Sequence, residues 1–181
     1  MRLFKLLILV IIIGSAYLFA KQQSDNEIDW PTVKIMHGVS IEFPQQPVSK
    51  SFQRSIASLG KVKLTTYQSS IDNKIFILLW VSPHETSPQQ KNVPLSEMED
   101  VVHAINDTAQ LTITNKQAFV LQSFPGIEYK ATKPNGDSVW CRTIKKGNQL
   151  FSVIYASRSS DSDPDSNLAL RETFFASLRI N

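Results

Sequence analysis

The chain has 181 residues, a length that suits one domain, and its 42% hydrophobic content is enough for a packed core. The formal charge of +3 is concentrated at the front: of 19 basic residues Arg2 and Lys5 lie in the first twenty, leaving 17 against 16 acidic residues in the remainder. A net charge of +1 on the folded part gives little counterion release, so nucleic-acid binding is excluded.

The N-terminus begins with the basic stretch Met1-Arg-Leu-Phe-Lys5 and continues as an apolar run from Leu6 to Ala20, broken only by Gly14, Ser15 and Tyr17. The eight residues Leu6–Ile13 favour insertion into hydrocarbon by about 2–5 kcal/mol. Positive charge before such a run retains the N-terminus in the cytoplasm and sends the rest across. Two outcomes are open. Leu3–Ala20 just reaches the length of an uncleaved inner-membrane anchor, with the following domain in the periplasm. Alternatively, cleavage after Gly14-Ser15-Ala16 releases a periplasmic or secreted protein. No Cys follows the run, which excludes a lipid-modified N-terminus. The sequence thus predicts three segments: 1–20 as anchor or signal peptide and membrane contact, 21–37 as a polar tether, and 38–181 as the folded domain.

From Val39 the dominant period is two. Strands are predicted at Val39–Phe43, Lys61–Tyr67 and Ile75–Val81, the last apolar on both faces and therefore central, while Val48–Ile56 alternates only weakly. Ser82–Pro94, rich in Pro, Gln and Ser, reads as a long loop of the kind that often carries function. Leu95, Met98, Val101, Val102 and Ile105 recur at helical spacing, predicting a helix over Pro94–Asn106 with its acids near the start. Leu111–Thr114 and Ala118–Gln122 are two further candidate strands. Gly126–Thr132, Ser138–Lys145 and Leu150–Ser157 form an antiparallel set joined by the turns Lys133–Asp137 and Lys146–Asn148. A last helix starts near Asp165 and is expected to bury Leu168, Phe174, Phe175 and Leu178. The expected class is α+β: an antiparallel sheet of six or more strands with helices packed on it, preceded by the N-terminal apolar helix.

Several residues bear on function. Asp161, Asp163, Asp165, Leu168 and Glu172 fall at the acid, apolar and closing-Glu positions of an EF-hand-type calcium loop. Ser166 replaces the glycine such a loop needs, Pro164 stiffens it, and a strand rather than a helix precedes it. The competing reading is an acidic loop capping the last helix. Cys141 is the single cysteine, so no intrachain disulfide is available, and it shares a strand face with Val139 and Thr143, as a core thiol would. His37, His84 and His103 are the partners available for nucleophilic chemistry, and no oxyanion-hole signature surrounds Cys141. Trp80 belongs to the apolar strand. Trp140 lies on the face of Arg142 and Ile144, either exposed or beneath a helix. Trp30 follows the tether.

Pro125-Gly-Ile-Glu-Tyr129, the Pro134-Asn-Gly136 turn, the strand with Trp140 to Arg142, Leu150-Phe-Ser-Val-Ile-Tyr155, Phe174-Phe-Ala-Ser-Leu-Arg179 and the early Ile41-Glu-Phe-Pro44 resemble the PsbP-like superfamily over residues 38–181. The resemblance implies an antiparallel sheet with packed helices. It also implies a mostly non-catalytic role, as in an accessory subunit of photosystem II, a Ran-binding import factor and bacterial envelope proteins. It carries no site residue onto this chain. The functional expectation is a non-enzymatic binding or assembly module at the membrane with an unidentified protein partner. The alternative is a soluble exported ligand- or calcium-binding protein. Calcium is the one cofactor the sequence suggests.

Overall fold

The computed structural model describes residues 30–35, 38–56, 59–83, 95–158 and 164–181. The first elements are short: β1 (Thr32–Lys34) and β2 (Val39–Glu42). Three long strands follow, β3 (Val48–Ile56), β4 (Gly60–Ile71) and β5 (Lys74–Pro83), and then helix α1 (Leu95–Ala109). The meander β6 (Thr112–Leu121), β7 (Phe124–Thr132), β8 (Ser138–Lys146) and β9 (Gln149–Ser157) leads to helix α2 (Pro164–Ala176) and strand β10 (Arg179–Ile180). Seven strands form one sheet in the order β3-β4-β5-β9-β8-β7-β6, and a second sheet runs β1-β2-β10. Every pairing is antiparallel.

The α+β expectation is therefore corrected. Among the described residues the fold is mostly β, with ten strands in two antiparallel sheets against two helices of 15 and 13 residues. The strands extend well past their apolar positions. β4 continues through Gln68-Ser-Ser70, and β3 is exposed along eight of its nine residues. Backbone pairing, rather than side-chain burial, makes these segments strands. Three-residue β1 lies in the stretch read as tether, and neither it nor two-residue β10 is long enough to show a period. The predicted strands 111–114 and 118–122 are one strand, β6, with a register shift between Ile113 and Asn115 that breaks the alternation. The predicted apolar helix and residues 1–29 lie outside the described residues, as do 84–94 of the predicted loop. No helix of the described residues is long and apolar enough to cross a membrane.

The seven-stranded sheet is covered on both faces. On one, α1 buries Met98, Val101 and Val102 against Val62, Leu64, Val81, Tyr129, Cys141 and Leu150. Within this face the paired Thr143 and Ser152 share a hydrogen bond of 2.8 Å between hydroxyls, and the Cys141 thiol lies 3.7 Å from the Thr143 hydroxyl. The other face is aromatic. Phe174 of α2 packs 5.4 Å from Phe43 and 5.2 Å from Phe76, which in turn meets Tyr155 edge-on at 5.3 Å. Tyr155 donates its hydroxyl to Asn167 of α2 at 3.0 Å.

The C-terminus of α2 is tied to the small sheet by Ser177. Its hydroxyl donates to the Phe174 carbonyl at 2.7 Å and accepts from the Glu42 amide at 3.1 Å. Leu168, expected in the core, is 48% exposed: the helix buries Phe174 and Phe175 in its C-terminal turns, while Leu168 lies outside the contact that its neighbour Asn167 makes with Tyr155.

Candidate functional site

The register of the turn at Lys133–Asp137 sets up the site. It pairs Lys130 with Trp140 and Glu128 with Arg142 across β7 and β8. β6 extends those rows, placing Asn115 beside Lys130 and Gln117 beside Glu128. On the other side Trp140 pairs with Tyr155 of β9. The aromatic face under α2 thus turns polar where the helix ends its cover, and a cleft opens between α2 and strands β6–β8. It encloses about 190 Å³ and is lined by Asn115, Gln117, Lys130, Trp140, Arg171 and Phe175, among others.

Its charged side chains are held in place. Arg142 pairs with Glu128 through Nε and reaches Glu172 of α2 at 3.5 Å through Nη2. The Arg142 guanidinium also lies 4.6 Å from the centre of the Phe175 ring. Glu128 accepts a second hydrogen bond, from the Gln117 amide at 3.1 Å. Arg171 pairs with Glu172 at 2.9 Å, and its guanidinium lies 4.8 Å from the centre of the Trp140 ring. Lys130 lies 5.2 Å from the same ring. Three cations and two carboxylates leave the cleft with a surplus positive charge beside a half-exposed indole. Such a set favours a carboxylate or another acidic group carried next to an apolar or planar one.

Gly126 shapes the margin of the cleft. It pairs with Phe119, whose ring covers it, and a Cβ there would collide with that ring and lie 2.8 Å from the Thr143 carbonyl oxygen. The ring can swing away, but the backbone oxygen cannot. Gly126→Ala is expected to cost about 2 kcal/mol in a urea titration, as overpacked sites do. An unchanged midpoint would show that β7 gives way freely.

The residues singled out from sequence lie partly outside the described residues, and those described sit in separate surroundings. Asp161 and Asp163 of the calcium pattern lie outside the described residues, Asp165 falls in the first turn of α2, and Glu172 faces two guanidiniums. Arginines at that carboxylate repel a cation, so 1 mM calcium is expected to leave the melting temperature unchanged. A rise that Asp161→Ala abolishes would establish a calcium site instead. Cys141 is wholly buried, and burial pushes its thiol up to about 11. His103 is exposed on α1, and His37 and His84 lie outside the described residues. Trp80 is core, stacked on Phe151 with 6.4 Å between centres. Trp140 takes both placements its strand face allowed, beside a helix and half-exposed. Lys130, Glu128 and Arg171 were missed. The signal was present, because a turn centred on Asn135 places Lys130 opposite Trp140 and Glu128 opposite Arg142.

No family model and no curated protein matches the chain. Among solved structures, a protein of unknown function from Pseudomonas aeruginosa, described as a putative regulator, is 9% identical, with 79% of this chain and 92% of that one covered and a TM-score of 0.37. The solution structure of cyanobacterial PsbP from Synechocystis sp. PCC 6803 is 10% identical, with 85% of this chain and 94% of that one covered and a TM-score of 0.54. The similarity lies in the fold and not in the side chains, and it establishes that this chain has a PsbP-like fold.

Proposed function

We propose that this protein is a non-enzymatic binding or assembly module on the periplasmic side of the inner membrane, held there through residues 1–20 and docking a protein partner in the α2–sheet cleft. The observation that carries this reading is the Trp140 ring with Lys130 and Arg171 beside it, next to an Arg142 already fixed by Glu128. These side chains are ordered before a partner arrives, so docking costs less rotamer entropy than it would on a loose surface. At about 190 Å³ the cleft is smaller than the ~300–1,000 Å³ typical of small-molecule sites. That size suits one acidic side chain and its apolar neighbour from a partner chain.

The apolar run Leu6–Ala20 behind Arg2 and Lys5 supports the membrane location. The inaccessible, high-pKa Cys141 thiol is a poor nucleophile at neutral pH, which supports a role without covalent chemistry. The test is affinity capture from solubilised membranes using the full chain and its Trp140→Ala/Arg171→Glu variant. The expected result is a partner recovered with the wild-type chain and lost with the variant. Recovery of the same proteins by both would refute the cleft as the docking site.

A further inference from the structure

The two carboxylates of the cleft are held differently. Glu128 is fixed: it pairs with Arg142 through Nε, accepts from the Gln117 amide at 3.1 Å, and its side chain is 28% exposed. Glu172 is looser. Its side chain is 47% exposed, and it meets Arg142 Nη2 at 3.5 Å, Arg171 Nη2 at 2.9 Å and Arg171 Nε at 3.0 Å. Arg171 and Glu172 are consecutive residues of α2. Consecutive helical side chains point in different directions, so these two must lean together to meet. Ion pairs of such exposure are screened by water and hold weakly. Both guanidiniums keep a second contact, Arg142 with the Phe175 ring at 4.6 Å from its centre and Arg171 with the Trp140 ring at 4.8 Å. They therefore stay in position when the Glu172 carboxylate leaves.

We propose that Glu172 holds the place of the partner's acid. Its carboxylate occupies the seat against Arg142 and Arg171 that an acidic side chain of the docking protein takes over, and Glu172 turns to solvent on docking. With the cleft as the docking site, on which this rests, Glu172 sets the threshold for entry. A carboxylate tethered at the site competes at high effective concentration with any incoming one. An acid alone gains little by the exchange. An acid whose apolar neighbour also covers Trp140 gains the contact that Glu172 cannot make, so the cleft selects the pair of residues over the charge. The two cleft carboxylates then act with opposite signs. Loss of Glu172 vacates the seat and strengthens docking. Loss of Glu128 leaves Arg142 to be ordered by the ligand and weakens it.

The probe is the blocked dipeptide N-acetyl-Glu-Phe-amide, with N-acetyl-Gln-Phe-amide as control. Each is titrated into the full chain in detergent micelles and followed by side-chain NMR. Glu172→Gln is expected to bind the Glu probe about three- to tenfold more tightly than the wild type, and Glu128→Gln less tightly. At saturation the wild-type Glu172 carboxyl resonance should move to that of a solvated glutamate while that of Glu128 holds. Equal or weaker binding by Glu172→Gln, an equal gain from Glu128→Gln, or an unmoved Glu172 resonance would overturn the proposal. The docking site itself survives those results if Trp140→Ala/Arg171→Glu loses the probe. A probe that binds Trp140→Ala/Arg171→Glu as well as the wild type, a Gln probe equal to the Glu probe, or no binding to any form would overturn the docking site and this proposal together.

Discussion

Replacing Phe174 by alanine is expected to remove about 3–5 kcal/mol of stability. The ring is fully buried and joins three parts of the fold: Phe43 after the small sheet at 5.4 Å, Phe76 of the large sheet at 5.2 Å and its neighbour Phe175 at 6.2 Å. Its loss removes the transfer free energy of the ring and leaves a cavity whose walls belong to different elements. β5 is fixed on both sides by β4 and β9, so it has little freedom to collapse inward. Domains of this size are stable by only about 5–15 kcal/mol, so this loss is a large share of the total. A urea titration checks this: the midpoint should fall with the slope unchanged. A loss under about 1 kcal/mol would mean that α2 is not packed as described.

The second large effect is alkaline. Burial holds the Cys141 thiol at about 11, and burial also raises the Tyr129 phenol well above its ordinary value, with the neighbouring Cys141 adding to that rise. Both groups bind their protons more tightly folded than unfolded. The stability they contribute is therefore complete below the thiol's unfolded value, near pH 9, and is lost as pH rises toward 11, with Tyr129 adding to the loss above pH 10. For Cys141 the rise from its ordinary value to about 11 corresponds to roughly 3 kcal/mol at the upper end of that window. The melting temperature should be nearly flat from about pH 7 to about pH 8.5 and fall steeply above pH 9. Cys141→Ala should flatten the first part of the fall. Tyr129→Phe should flatten the later part at little cost near neutral pH, because the buried Tyr129 hydroxyl has nothing stronger than the Cys141 thiol to lose. A profile unchanged to pH 11 would show that water reaches both groups.

The meander was legible because its chemistry is local. The glycine-bearing turns after β7 and β8 fix where strands stop, and the alternation Val139, Cys141, Thr143 against Trp140, Arg142, Ile144 separates core face from cleft face. Gly136 adopts a φ of +87°, the left-handed conformation that makes such a turn readable. The class was misjudged because helices announce themselves by amphipathic period, whereas edge strands such as β3 are strands through hydrogen bonding and bury almost nothing. Leu168 was misplaced because helical spacing groups residues by face and does not reveal which of them the sheet covers: Asn167 meets Tyr155 while Leu168 beside it is exposed. The cleft was only half legible. Trp140 and Arg142 were visible on one face, but Arg171 arrives from a helix some thirty residues away, and nothing local predicts which strand that helix crosses.

The claim on which the functional reading depends is that partners meet the protein at Trp140. Site-specific photo-crosslinking in intact cells tests it, with the reactive group placed at the cleft residue Gln117 and, as control, at exposed Asn148 in the β8–β9 turn. Docking in the cleft predicts a membrane-associated adduct from position 117 that disappears with Arg171→Glu, and none from position 148. Equal adducts from both positions, or none from position 117, would contradict it.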